Sequence, residues 1–149
     1  MIRSAVAVWK GGPLIGEGQV STSSGVLSNA LYAAGSSTGN EPCTSPSEML
    51  AAAVSSCMSL MVAQEMHREG MKPQLVKTES VLTLEEKKGQ WDITEIDSNI
   101  TVRMSGVSEK KVQHAATIAR GKCPISRALN VPIKVKAKVE TVEAEPVTA

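Results

Sequence analysis

The stretch "TSPSEMLAAAVSSCMSLMVAQEMHREG", residues 44 to 70, constrains the fold more than any other part of the chain. Ser45 is a good N-cap, Pro46 stands at the first helical position and Glu48 completes an S-x-x-E capping box. Gly70 supplies the stop. One helix is therefore expected from Ser45 to about Glu69, roughly 36 Å long. Its first half is apolar nearly all round, which predicts a central, buried position, whereas "AQEMHRE" turns polar and must reach solvent. The uncharged run from Met49 to Ala63 spans 15 residues and holds three serines. A membrane span needs about 20, so the expectation is a buried helix and no membrane segment.

The flanking segments alternate. "RSAVAVWK" (3–10) and "IGEGQVST" (15–22) surround "GGPL" and read as an antiparallel hairpin. Residues 33–43, small and polar, read as a loop. "QLVKTESVLTLEE", "KKGQ" and "WDITEIDSNITVRM" read as a second hairpin, with alternation in Val81, Thr83 and from Ile93 to Arg103. "SEKKVQHAATIARG" reads as an amphipathic helix capped by Ser108 and stopped by Gly121. "CPISRALN" adds one or two helical turns, "VPIKVKAKVETV" a last strand with a lysine face, and "EAEPVTA" a frayed tail. The expected class is α+β, antiparallel strands packed around one long helix, in a single domain over residues 1–149.

Bulk properties narrow the function. A net charge of +1 gives no electrostatic case for nucleic acid or an anionic membrane. Aromatic residues are 2% of the chain, too few for a base-stacking platform. The N-terminus lacks the apolar core and cleavage site of a secretory signal. The three cysteines form neither a CxxC pair nor a zinc spacing. An odd number of thiols without a signal predicts a cytoplasmic protein whose disulfides, where they form, are catalytic or transient.

Cys57 and Cys123 are 66 residues apart, so only the fold can bring them together. Cys123, at a helix N-terminus, has the macrodipole and unpaired N–H groups to stabilise a thiolate. Cys57 lies three turns into its helix, where burial alone would raise its pKa, so a cation would have to come from elsewhere. Cys43 reads as a loop thiol. Helical geometry sets Ser45 about 18 Å from Cys57, and a disulfide needs Cα atoms within roughly 7 Å. His67 and His114 read as surface residues, Met49, Met58, Met61 and Met66 as core filler.

The combination of "SPSEMLAAAVSSCMSL", "GKCPISRAL" and "W-x(8)-GQVSTSSGVL" resembles the OsmC/Ohr family, osmotically inducible protein C and organic hydroperoxide resistance protein. The resemblance runs from Trp9 to about Val139 and is closer to the OsmC branch. It implies an intertwined homodimer with long helices at the interface. It implies a thiol-dependent peroxidase whose substrate is a small peroxide, organic or hydrogen peroxide. Cys57 would attack the O–O bond and become a sulfenic acid, and Cys123 would resolve it to a disulfide. A dithiol reductant would restore both, with no metal and no bound organic cofactor.

Two family features are displaced. The family activates its thiol with an arginine from the N-terminal sheet or loop region, held by a glutamate. This chain has no Arg or Lys between residues 11 and 67, which leaves Arg3, Lys10 and Arg127 as candidate cations. In the OsmC and Ohr branches the glutamate directly follows the proline, where this chain has Ser47; Glu48 is one position later, as in other OsmC-like proteins. On an ideal helix Glu48 lies about 13 Å from Cys57 and on the opposite face, so it would serve Cys57 only across a dimer interface. The missing arginine keeps a second reading open: a non-catalytic relative that binds hydrophobic small molecules or accumulates under stress.

Overall fold

A computed structural model describes residues 1–13, 15–33, 37–38 and 41–141. The chain divides between Leu50 and Ala51 into two compact units. In the first, β1 (Ala5–Lys10) pairs antiparallel with β2 (Glu17–Thr22), and β2 with β3 (Ala30–Tyr32). Gly18 stands opposite both Trp9 and Tyr32 in the register. A Cβ there would meet the Tyr32 ring at 2.4 Å. The glycine thus makes room for the Tyr32 ring, whose centroid lies 5.7 Å from that of Trp9.

Residues 33–43 are not all loop: β4 (Ser37–Thr38) and β5 (Glu41–Pro42) form a short antiparallel ladder. Like β3, these strands are too short to show an alternating period. Leu14, in the expected first turn, and the tail 143–149 lie outside the described residues.

Helix α1 (Pro46–Arg68) begins in the first unit and runs on into the second. Its capping box forms as the sequence requires: Glu48 N–H donates to Ser45 Oγ, and Ser45 N–H donates to Glu48 Oε2, both at 3.2 Å. At the other end Gly70 takes φ +76°, and Met71 N–H reaches back to the Met66 carbonyl at 2.9 Å. Burial departs from expectation. Only the stripe Val54, Met58, Val62, Glu65 and Met66 is buried, and Leu60 is 58% exposed. An all-round apolar composition tells how much surface should be covered, but not by which neighbours. Among the described residues α1 is the one helix long and apolar enough to cross a membrane, by length and composition.

The second unit holds a sheet in the order β6 (Leu75–Lys87), β7 (Gln90–Arg103), β8 (Ile133–Glu140). β6 and β7 form the long hairpin, turned by Lys88 and Gly89 at φ +53° and +79°, the left-handed pair that matches strand twist. β8 departs from the all-antiparallel expectation by running parallel to β7. α2 (Glu109–Lys122) and α3 (Pro124–Ala128) carry the chain back between them, as a parallel pairing requires. The lysine face of β8 appears as expected, with Ile133, Val135, Ala137 and Val139 turned inward. The Gln113 side chain donates to the Val135 carbonyl and accepts from Ala137 N–H, which satisfies backbone groups of an edge strand.

Gly121 does not end α2. The helix continues to Lys122 and closes at Cys123, whose N–H donates to the Ala119 carbonyl at 2.8 Å. Gly121 is not among the positive-φ residues. Pro124 is what disfavours helical backbone at the residue before it. The core joins the α1 stripe to Ile96, Ile100 and Val102 of β7, and to Val112, Ala115, Ala116 and Ala119 of α2.

Candidate functional site

The fold brings together the two cysteines that the sequence holds far apart. Cys57 projects from the middle of α1, and Cys123 caps α3 right after α2 ends. The Cys123 thiol donates to the Cys57 sulfur, with the two sulfurs 2.6 Å apart. Cys123 is fully buried and Cys57 half-buried. Ser126 holds the arrangement from α3: its N–H donates to the Cys123 sulfur at 3.4 Å, and its hydroxyl lies 3.8 Å from the Met58 sulfur on α1.

The two thiols are polarised in opposite directions. Burial, reinforced by the hydrogen bond with Cys123, pushes Cys57 up to about 11 against the pull of the Ile125 N–H. Burial would also raise Cys123, but its hydrogen bonds with Cys57 and the Ser126 hydroxyl, and those it accepts from the Ser126 and Ile125 N–H groups, outweigh it and lower this thiol. The two sulfurs lie close enough that the ionisation of either one depends on the other.

The other candidate residues sit apart from this pair's hydrogen bonds. Glu48 accepts from Ser45 N–H and from the Thr44 hydroxyl, the latter at 3.1 Å, and so is occupied in the helix cap. Arg127 is exposed; its N–H donates to the Cys123 carbonyl at 3.0 Å, and its guanidinium donates to neither sulfur. Arg3 and Lys10 are exposed in the first unit, where Arg3 donates to the Ile2 carbonyl. Cys43 is half-buried just ahead of α1. His67 and His114 are exposed, and the described residues contain no cluster of His, Cys, Asp or Glu able to hold a metal. Met58 and Met66 are core residues.

Sequence reasoning missed Glu65. This carboxylate lies on the buried stripe of α1, 5% exposed. Lys122 donates to both of its oxygens at 2.9 Å, and Arg68 adds a second ion pair. Lys122 directly precedes Cys123, so this clamp fixes the end of α2 on α1 beside the thiol pair. A glutamate three residues after Val62, on an otherwise apolar stripe, was the available signal. The Lys122 hydrogen bonds, opposed by burial and aided by Arg68, hold Glu65 below its ordinary value of 4.5. Because the folded value is the lower one, the clamp's contribution is fully present above pH 4.5 and lost as pH falls through the folded value. Glu65→Gln is therefore expected to lower the urea midpoint at neutral pH. The gap to the wild type should close in titrations carried below pH 4; a gap of constant size would show that the carboxylate's charge does not contribute.

Comparison with known proteins gives one consistent picture. A family model described as OsmC-like protein matches residues 38–138. Peroxiredoxin OsmC of Escherichia coli (strain K12) is 27% identical over 135 residues, covering 91% of this chain and 94% of that protein. Among solved structures, the organic hydroperoxide resistance protein OhrB of Bacillus subtilis superposes with a TM-score of 0.66 at 20% identity, over 92% of this chain and 98% of its own. An OsmC-like protein of unknown function from Vibrio cholerae gives a TM-score of 0.72 at 19% identity, over 94% and 99%.

Proposed function

The chain belongs to the OsmC-like protein family, and from that premise we propose that it is a thiol-dependent hydroperoxide reductase. Kinship with proteins named peroxiredoxin and organic hydroperoxide resistance protein supports a hydroperoxide-related redox role. The observation that carries the finer reading is the approach of Cys57 and Cys123 to 2.6 Å. In this reading the half-buried Cys57 attacks the peroxide and becomes a sulfenic acid. Cys123 attacks that sulfur, expels water and leaves a disulfide, which an external dithiol reduces. The apolar surroundings of the pair, with Met58, Met61 and Ile125, suit an organic peroxide.

The protein acts in the cytoplasm as a homodimer in this proposal. Val6 and Val8 on β1 and Leu60 on α1 are exposed at 66%, 48% and 58%, apolar surface of the kind that a second copy covers. Glu48 would reach a thiol only in such an assembly. The raised Cys57, and the absence among the described residues of a cation hydrogen-bonded to its sulfur, favour the second reading, a non-catalytic binder of hydrophobic small molecules.

One experiment separates the two. The reduced protein is mixed with one equivalent of cumene hydroperoxide and free thiols are followed by mass spectrometry. The reductase loses two thiols per chain, with peptide mapping placing the disulfide at Cys57–Cys123. Thiols that stay reduced for hours would leave the binder.

A further inference from the structure

Glu65 is a buried carboxylate that takes no part in the bond-making of the thiol pair. It is 5% exposed on α1, about 12 Å further along the helix than Cys57. Two cations hold it, and they come from different elements. Arg68 reaches it from the next turn of α1, whereas Lys122 reaches it from α2 and donates to both oxygens at 2.9 Å. Lys122 is the last residue of α2, and Cys123 follows it as the shared cap of α2 and α3. Cys123 is thus tied to α1 from both sides along the chain: by Lys122 on Glu65, and by Ser126, whose hydroxyl lies 3.8 Å from the Met58 sulfur. The first tie is a charge-assisted pair with a buried carboxylate and the second a contact with a weakly accepting thioether, so the first is the stronger.

We propose that Glu65 is a positioning residue for the second step, holding Lys122 so that the Cys123 sulfur stays aimed at the Cys57 sulfur while the disulfide forms. The assignment rests on the hydroperoxide reading above and gives a part in the cycle to a residue outside the thiol pair. In that step the Cys123 sulfur bonds to the sulfur of the Cys57 sulfenic acid and the S–O bond breaks. The departing hydroxide and the Cys123 proton leave as water, and Cys123 is oxidised by as much as Cys57 is reduced. Closure competes with the attack of a second peroxide on the sulfenic acid, which gives a sulfinic acid and ends the cycle. Closure depends on aim, since a misplacement of about 1 Å costs ~10²-fold. Attack by a freely diffusing peroxide does not depend on where Cys123 stands. The clamp therefore sets how the sulfenic acid divides between disulfide and sulfinic acid.

Reduced wild type, Glu65→Gln, Lys122→Met and Arg68→Met are each mixed rapidly with cumene hydroperoxide. Samples quenched over time are analysed by mass spectrometry for sulfenic acid trapped with a dione probe, for disulfide and for sulfinic acid. In Glu65→Gln and Lys122→Met the sulfenic acid is expected to form at the wild-type rate and the disulfide about 10–10²-fold more slowly. Sulfinic acid should then accumulate as the peroxide is raised. Lys122 is half-exposed, so its variant does not depend on how a substitution in the core stripe folds. Arg68→Met is the control: it removes the other ion pair of the same carboxylate without touching α2, so it should cost stability and leave closure at the wild-type rate.

Closure at the wild-type rate in both Glu65→Gln and Lys122→Met would overturn the proposal. An equal slowing in Arg68→Met would also overturn it, because the effect would then be one of general stability. A wild type that leaves both thiols reduced would instead overturn the hydroperoxide reading, and the proposal with it.

Discussion

Cys57→Ser is expected to abolish peroxide consumption, with a fall on the order of 10³-fold or more in steady-state turnover against cumene hydroperoxide with a dithiol present. A serine hydroxyl in the same place is too weak an acid to ionise near neutrality and too poor a nucleophile toward peroxide oxygen. The substitution is small and the site is half-buried, so folding should hold: the urea midpoint is expected to stay close to that of the wild type. Retention of more than a tenth of the turnover would move the chemistry to another thiol, and Cys43 would be the next to replace.

The second large effect belongs to Met58. Its side chain is fully buried in the α1 stripe, next to Cys57, and its sulfur is the contact that ties Ser126, and through it α3, to α1. Met58→Ala should destabilise the protein by about 2–5 kcal/mol, the usual cost of removing a buried side chain of this size. It should also loosen the seat of Cys123. Met58→Leu separates the two effects, because it keeps the volume at a cost below about 1.5 kcal/mol while deleting the sulfur. Chemical denaturation measures the first effect, and the rate of Cys57–Cys123 disulfide formation the second. Unchanged stability in Met58→Ala would mean that the stripe is not the core of the second unit.

How far the sequence could be read depended on the range over which each feature is determined. The ends of α1 were legible because a capping box and a glycine stop are settled within four residues. The β6–β7 hairpin and the lysine face of β8 were legible from alternation. The parallel direction of β8 was not, because it depends on where α2 and α3 deliver the chain. Gly121 misled because a helix tolerates an interior glycine at a cost of only about 1 kcal/mol, while the restriction imposed by Pro124 acts on its neighbour. At the site, both cysteines were legible as candidates. Their contact was not, since it spans 66 residues. The Glu65–Lys122 clamp, across 57 residues, left only the trace of one charge on an apolar stripe.

The separation of the two thiols along the chain bears on how the protein is made. At the usual 5–20 residues per second, Cys57 leaves the ribosome roughly 3–13 s before Cys123 follows it. α1 can form in that interval from its own caps, but the Cys57 thiol on it does not yet have its partner thiol. The pair is assembled only when α2 and α3 have crossed over and laid Cys123 against α1. In the proposed cycle, a Cys57 oxidised during synthesis would therefore have no resolving thiol until Cys123 arrives.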